Sequence, residues 1–169
     1  MIQQISFGLW ILTLACQAET PDNTLRVVAD SMDCDQTQGI CVATGNAFAE
    51  RPQDPDKRTI RANKFTVYFS KSPSKTSESD DKTSKTNLKE IHADGNVVIT
   101  DRENIIRSNK AVYHDDSETV ELFDDVRLTQ GTNQLNGSYG YADLKTKKYR
   151  VTNKESQVEG LFVKKPVKK

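Results

Sequence analysis

Apolar and polar residues alternate with a period of two along much of this chain. In Lys64-Phe65-Thr66-Val67-Tyr68-Phe69 one face carries Phe65, Val67 and Phe69. The same alternation places Val97 with Ile99, Val120 with Leu122, Val126 with Leu128, and Tyr149 with Val151. Lys, Thr, Glu, Arg and Asn fill the places between them. A period of two sends successive side chains to opposite faces of a strand. One face is then buried and the other wet, the mark of antiparallel sheets. Past the first residues, no stretch keeps a 3.6 period long enough for a substantial helix.

The pattern also repeats. Ala29-Asp30-Ser31-Met32-Asp33-Cys34 runs on to Thr44-Gly45-Asn46-Ala47, and Ala62-Asn63-Lys64-Phe65-Thr66-Val67 runs on to Asp94-Gly95-Asn96-Val97. Ser108-Asn109-Lys110-Ala111-Val112-Tyr113 runs on to Phe123-Asp124-Asp125-Val126, and Asn136-Gly137-Ser138-Tyr139-Gly140-Tyr141 opens a fourth unit. Ser108 and Asn136 are 28 residues apart. Such a unit cannot bury its own apolar face, so the repeats should stack into one continuous β structure. Gly45-Asn46, Gly95-Asn96 and Asp124-Asp125 tolerate positive φ and mark corners. Turns are expected at Gln36–Gly39, His114–Ser117 and Asp143–Thr146. Their close spacing predicts an all-β sandwich, roll or barrel.

One insertion breaks the period. Ser70 to Asn87 contains no apolar residue and is built from Ser, Thr, Lys and Asp. It has nothing to place in a core, so residues 70–89 are expected to form a disordered surface loop inside a single domain spanning 19–163. The basic tail, 164–169, is expected to be solvated and frayed.

The N-terminus reads as a leader. Ile5 to Ala15 is an apolar run of eleven residues, short of the about 20 needed to span a bilayer. Cys16 and Ala18 stand before the polar Glu19-Thr20-Pro21, as at a cleavage site, so residues 1–18 are expected to be a signal peptide. A lipoprotein signal at Leu12–Cys16, with Cys16 acylated, is the alternative; Thr13 stands where such signals prefer an aliphatic residue. The mature chain is expected to be exported and soluble. Export makes an oxidising setting, where Cys34 and Cys41 can close a disulfide across the first hairpin. Two small buried thiols are the other reading.

Composition excludes much. The 169 residues carry no formal net charge, which gives no electrostatic footprint for nucleic acid. The two histidines, His92 and His114, fall on polar faces, so neither metal nor cofactor is expected. The acidic pairs Asp80-Asp81, Asp115-Asp116 and Asp124-Asp125 lie in the loop or at turns. There is no nucleophile motif and no phosphate-cradling glycine loop, so no enzyme activity is expected.

What remains is an apolar lining: Met32, Cys34, Cys41, Phe65, Val67, Phe69, Ile91, Val97, Ile99, Tyr113, Val120, Leu122, Val126, Leu128, Tyr139, Tyr141, Tyr149 and Val151. These residues either pack as an ordinary core or line an open-ended groove for lipid chains.

The series Ala29-Asp30-Ser31-Met32, Thr44-Gly45-Asn46-Ala47, Ala62-Asn63-Lys64-Phe65, Ala93-Asp94-Gly95-Asn96-Val97-Val98-Ile99-Thr100, Ser108–Tyr113 and Val126–Gly131 resembles the OstA-like repeat of the family of periplasmic lipopolysaccharide transport protein A. The resemblance spans about Leu25 to Phe162. It implies a twisted antiparallel β-jelly roll, open at both ends. Lipid A acyl chains would lie inside it, against Met32, Phe65, Val67, Phe69, Ile91, Val97, Ile99, Tyr113, Val120, Leu122, Val126 and Leu128. It also implies head-to-tail self-association. Edge strands would join the inner- and outer-membrane components of the same lipopolysaccharide transport system. The Ser/Thr/Lys insertion and Asp124-Asp125 in place of Gly-Asn depart from the family pattern. A structural envelope protein with a filled core and no lipid is the competing reading.

Overall fold

The computed structural model describes residues 24–71, 86–154 and 156–163. The expected leader, the middle of the insertion (72–85) and the basic tail lie outside them. Ten strands form one sheet: β1 (Arg26–Val28), β2 (Ser31–Asp35), β3 (Ile40–Glu50), β4 (Thr59–Lys71), β5 (Thr86–Thr100), β6 (Asn104–His114), β7 (Thr119–Gln130), β8 (Asn133–Asp143), β9 (Lys148–Thr152) and β10 (Glu159–Leu161). All pairings are antiparallel. The order is β1-β3-β4-β5-β6-β7-β8-β10, with β2 also on β3 and β9 also on β8. The sheet does not close on itself. Strand pairing extends into both flanks of the expected loop, since Ser70 pairs with Asn87 and Lys71 with Thr86. Residues 70–71 and 86–89 are therefore strand, not loop.

Each long strand bends near its middle, and the repeat motifs explain how. Gly45-Asn46, Gly95-Asn96 and Asp124-Asp125 all have positive φ. At each, the odd-numbered strand takes three steps where its next partner takes two: Thr44 to Ala47 against Lys64 to Ala62, Asp94 to Val97 against Lys110 to Ser108, and Phe123 to Val126 against Tyr139 to Gly137. One extra residue per crossing is a β-bulge, which bends the strand. The even-numbered strands answer with a change of phase. In β4 the buried residues are Phe65 and Val67 on one side of the bend and Ala62 on the other. In β6 they are Ala111 and Tyr113, then Ile106 and Ser108. The pairs Asn63-Lys64 and Asn109-Lys110 between them both face outward.

The glycines at the bend meet a polar residue from the start of the same unit. A Cβ on Gly45 would lie 2.3 Å from Asp30 Oδ2, and one on Gly95 would lie 2.6 Å from Asn63 Nδ2. The Asn46 side-chain amide donates to Asp30 Oδ2 at 2.9 Å. The Ala-Asp/Asn and Gly-Asn motifs are thus two halves of one packing contact.

The bends fold the sheet into two layers over one apolar interior. The first layer holds β1, β10 and the halves of β3 to β8 near Glu50, Thr59, Thr100, Asn104, Gln130 and Asn133. The second holds β2, β9 and the other halves. Among the described residues, Phe65, Val97, Val120 and Val126 are the largest fully buried side chains of the interior. Ala43, Ala47, Ala49, Ala62, Ala93, Ala111 and Ala142 fill the narrow places between layers.

Candidate functional site: the apolar interior and its seam

Most of the expected lining residues meet inside the roll. Phe65, Val67, Ile91, Val97, Ile99, Tyr113, Val120, Leu122, Val126 and Leu128 belong to one buried cluster. Cys41, Phe69, Tyr149 and Val151 are half-buried against it. Two expectations fail on strand phase. Tyr139 pairs with Phe123 and Tyr141 with Glu121, all on the outer face. Tyr141 is 38% exposed, while Gly140 and Ala142 point inward. The inward phase that holds Leu135 and Gly137 opposite Leu128 and Val126 changes at the bend, so that Gly140 and Ala142 take it up beyond. Room also decides the matter: a Cβ at Gly140 would stand 2.9 Å from Val126 Cγ1 and 3.0 Å from Leu122 Cδ1. Met32 pairs with buried Ala43 and so lies on the inner side, yet it is 47% exposed. It sits on edge strand β2, where no further strand covers it. Cys34, exposed on the same edge, pairs with Cys41; their sulfurs are bonded at 2.03 Å with Cα atoms 4.1 Å apart.

The interior is packed. Among the described residues it opens at a small cavity of about 60 Å³ lined by Leu25, Ala49, Ile60, Ile91, Ile99, Tyr113, Val120 and Leu144, with Arg51, Asp54 and Arg58 at its rim. That is room for a handful of waters, each needing ~10–15 Å³ of such space, and not for an acyl chain. Outside it lies a polar recess of about 270 Å³, which shares Arg51, Asp54, Arg58 and Tyr113.

The rim is a network of charges. Arg58 Nε donates to Asp54 Oδ2 at 2.6 Å, and its Nη2 donates to Oδ1 at 3.2 Å. Asp54 also accepts from the backbone N–H groups of Asp56 and Arg58. Burial works against the charged carboxylate, but Arg58 and these N–H groups outweigh it and hold Asp54 below its usual range. Arg51 pairs with Asp115, which also accepts from Tyr113 Oη at 3.1 Å. Burial, then the Asp115 charge, pushes Tyr113 up to about 12. Burial and the charge of Asp101 likewise push Tyr149 up to about 12. Asp101 is itself held low: burial opposes its charge, but Asn104, two backbone N–H groups and Tyr149 donate to it.

On the outer face, His92 Nε2 lies 3.1 Å from Glu90, and His114 lies between Glu90 and Glu121. This face is polar, as the sequence suggests. Among the described residues no group of three His, Cys, Asp or Glu could hold a metal ion.

A folded-over, unclosed antiparallel sheet with an apolar interior is a specific architecture, and the sequence carries the same signature. The family profile described as LptA/(LptD N-terminal domain) LPS transport protein matches residues 26–148. The chain belongs to that family. This is a family of transport proteins, not enzymes. Among solved structures, the fold is similar to that of LptH, the LptA-homologous periplasmic component of the conserved lipopolysaccharide transport device from Pseudomonas aeruginosa. The TM-score is 0.66 at 15% identity, over 85% of this chain and 100% of that one. No curated protein sequence matches the chain. As an LptA-type roll, the chain has two features that its sequence did not disclose: the alanine lining and the charged rim. Alternate alanines at 43, 47 and 49 carried a readable signal for the first. The second joins residues as far apart as Arg51 and Asp115 and has no local signal.

Proposed function

We propose that this LptA-family chain is a periplasmic carrier that holds the acyl chains of lipopolysaccharide between its two layers. One observation carries the reading: a continuous apolar interior runs between the two free edges of an unclosed sheet. Phe65 and Val67, then Ile91, Val97 and Ile99, then Ile106 and Tyr113, then Val120, Leu122, Val126 and Leu128 follow one another across neighbouring strands. Acyl chains gain about 0.8 kcal/mol per buried CH₂. Because the interior is packed, loading must part the layers. The two edges, β1 with β2 and β9 with β10, suit strand addition by a second copy or by a similar roll in the inner- or outer-membrane component. Val158, Leu161, Phe162 and Val163 are exposed at the C-terminal edge and support that role.

The filled interior favours a second reading, a structural envelope protein with no ligand. Photocrosslinkers at Phe65, Val97 and Leu128 in living cells separate the two. Adducts with lipopolysaccharide at these inward positions, and not at outward Arg107 or Glu121, support the carrier. An absence of adducts at all three favours the structural protein.

A further inference from the structure

The two layers are joined by covalent chain along the bend. On the opposite side, among the described residues, side chains join them. In a flat sheet, Arg51 and Asp115 would stand apart by about the length of β6. Its 11 residues at about 3.3 Å each make that ~35 Å. Instead they form an ion pair. Arg58 lies 4.0 Å from Glu118 Oε2, and Lys147 Nζ donates to Asp56 Oδ1 at 2.8 Å. Tyr149 Oη donates to Asp101 Oδ2 at 3.2 Å and accepts from Asn104 Nδ2 at 3.1 Å. Every one of these contacts links the loop after β3, the turn after β5 or the first residue of β6 to the turns after β6 and β8 or to β9. Among the described residues, no backbone hydrogen bond outside the strands crosses this line. The apolar cavity opens directly behind it.

We infer that this seam is a latch: the ion pairs of Arg51 with Asp115, Arg58 with Glu118 and Lys147 with Asp56 hold the two layers shut, and amphiphile chains enter sideways through it when they part. The inference rests on the carrier reading above. The physics favours a latch over an anion-binding site. The two arginines at the rim face Asp54, Asp115 and Glu118, so the rim is already neutralised by carboxylates and would not draw a phosphate. Contacts made only by side chains can break without unravelling a strand. The bend opposite, held by continuous backbone, serves as the hinge. Asp54 and Arg58 stay together on one loop, so that loop keeps its shape when the seam opens.

The test joins the seam covalently. In a Cys34→Ser, Cys41→Ser background, Arg51→Cys and Asp115→Cys are linked by a short bismaleimide. A control carries Asp115→Cys alone, capped with N-ethylmaleimide. Circular dichroism verifies the fold of each. Uptake of fluorescent lipopolysaccharide is then measured for parent, control and linked protein. The latch predicts uptake at least tenfold lower after linking and undiminished, or faster, in the capped control. It also predicts that protein linked after loading retains its lipid through gel filtration. Linked protein that loads like the parent would show that lipid enters at the ends of the roll, overturning the latch while leaving the carrier intact. A parent that takes up no lipid overturns both.

Discussion

Replacing Gly95 with alanine tests whether the bend is built as described. Gly95 has φ +76, where an L residue is strained by about 1–2 kcal/mol. The added methyl would also stand 2.6 Å from Asn63 Nδ2, 3.1 Å from its Cγ and 3.2 Å from its Cβ. Asn63 must swing away, giving up its bond from Asn96 at 3.4 Å, worth about 0.5–1.5 kcal/mol. The total is about 1.5–3.5 kcal/mol. Gly131 supplies the control, since it has φ +58 but nothing within 4 Å of a new Cβ. Gly131→Ala should cost only the strain, about 1–2 kcal/mol. Urea unfolding followed by circular dichroism reads the difference, about 0.25–0.75 M in midpoint at a slope of about 2 kcal/mol/M. Adding Asn63→Ala to Gly95→Ala removes the two closest contacts, so the pair should cost less than the sum of the singles by about 1 kcal/mol. If Gly95→Ala costs no more than Gly131→Ala, the contact between the two motifs does not shape the bend, and the explanation of the repeat is wrong.

Three further outcomes follow from the structure. Free-thiol labelling of the denatured mature protein should find Cys34 and Cys41 oxidised, and replacing both with serine should cost about 2 kcal/mol or less; two reactive thiols per chain would refute the pairing. Asp54 and Asp101 ionise more readily in the folded protein than at their ordinary value of 3.8, so their contribution is complete above that value and is lost as pH falls through the lower folded values. Stability should therefore drop below about pH 4, and Asp101→Asn should flatten the acid limb; an unchanged limb refutes the assignment. Truncation after Thr146 removes β9 and β10 and should abolish self-association in a sedimentation series; oligomers that persist would place the contact elsewhere.

Where side chains act through local pattern, the sequence was readable. The corners at Gly45-Asn46, Gly95-Asn96 and Asp124-Asp125 needed only tolerance of positive φ, and all three pairs have it. The inner faces of β5 and β7 keep one phase through the bulge, so Val97, Ile99, Val126 and Leu128 followed from simple alternation. The even strands change phase at the bend, and a count of two carried across it misplaced Tyr139 and Tyr141 and overlooked Ile106. Met32 has the inner phase but lies at an edge, and no alternation distinguishes an edge strand from a central one. The seam depends on the sheet folding over, which brings Lys147 to Asp56 across 91 positions. The packed interior also changes what a charge placed there can test. Ile99 and Leu128 are 4% and 7% exposed, so an aspartate at either costs several kcal/mol of fold stability before it reports on lipid.

The repeat makes the molecule a ruler with a unit of length. Each additional hairpin adds two strands to both layers at once and brings its own bend, so nothing already built has to change. At about 4.8 Å per strand, the eight strands in the path from β1 to β10 set the free edges about 34 Å apart. One more unit of about 28 residues, the interval between Ser108 and Asn136, would lengthen the interior by about 10 Å. A wider gap can therefore be spanned by counting, either hairpins within a chain or copies along a line, with the cross-section that lies against the ligand left the same at every step.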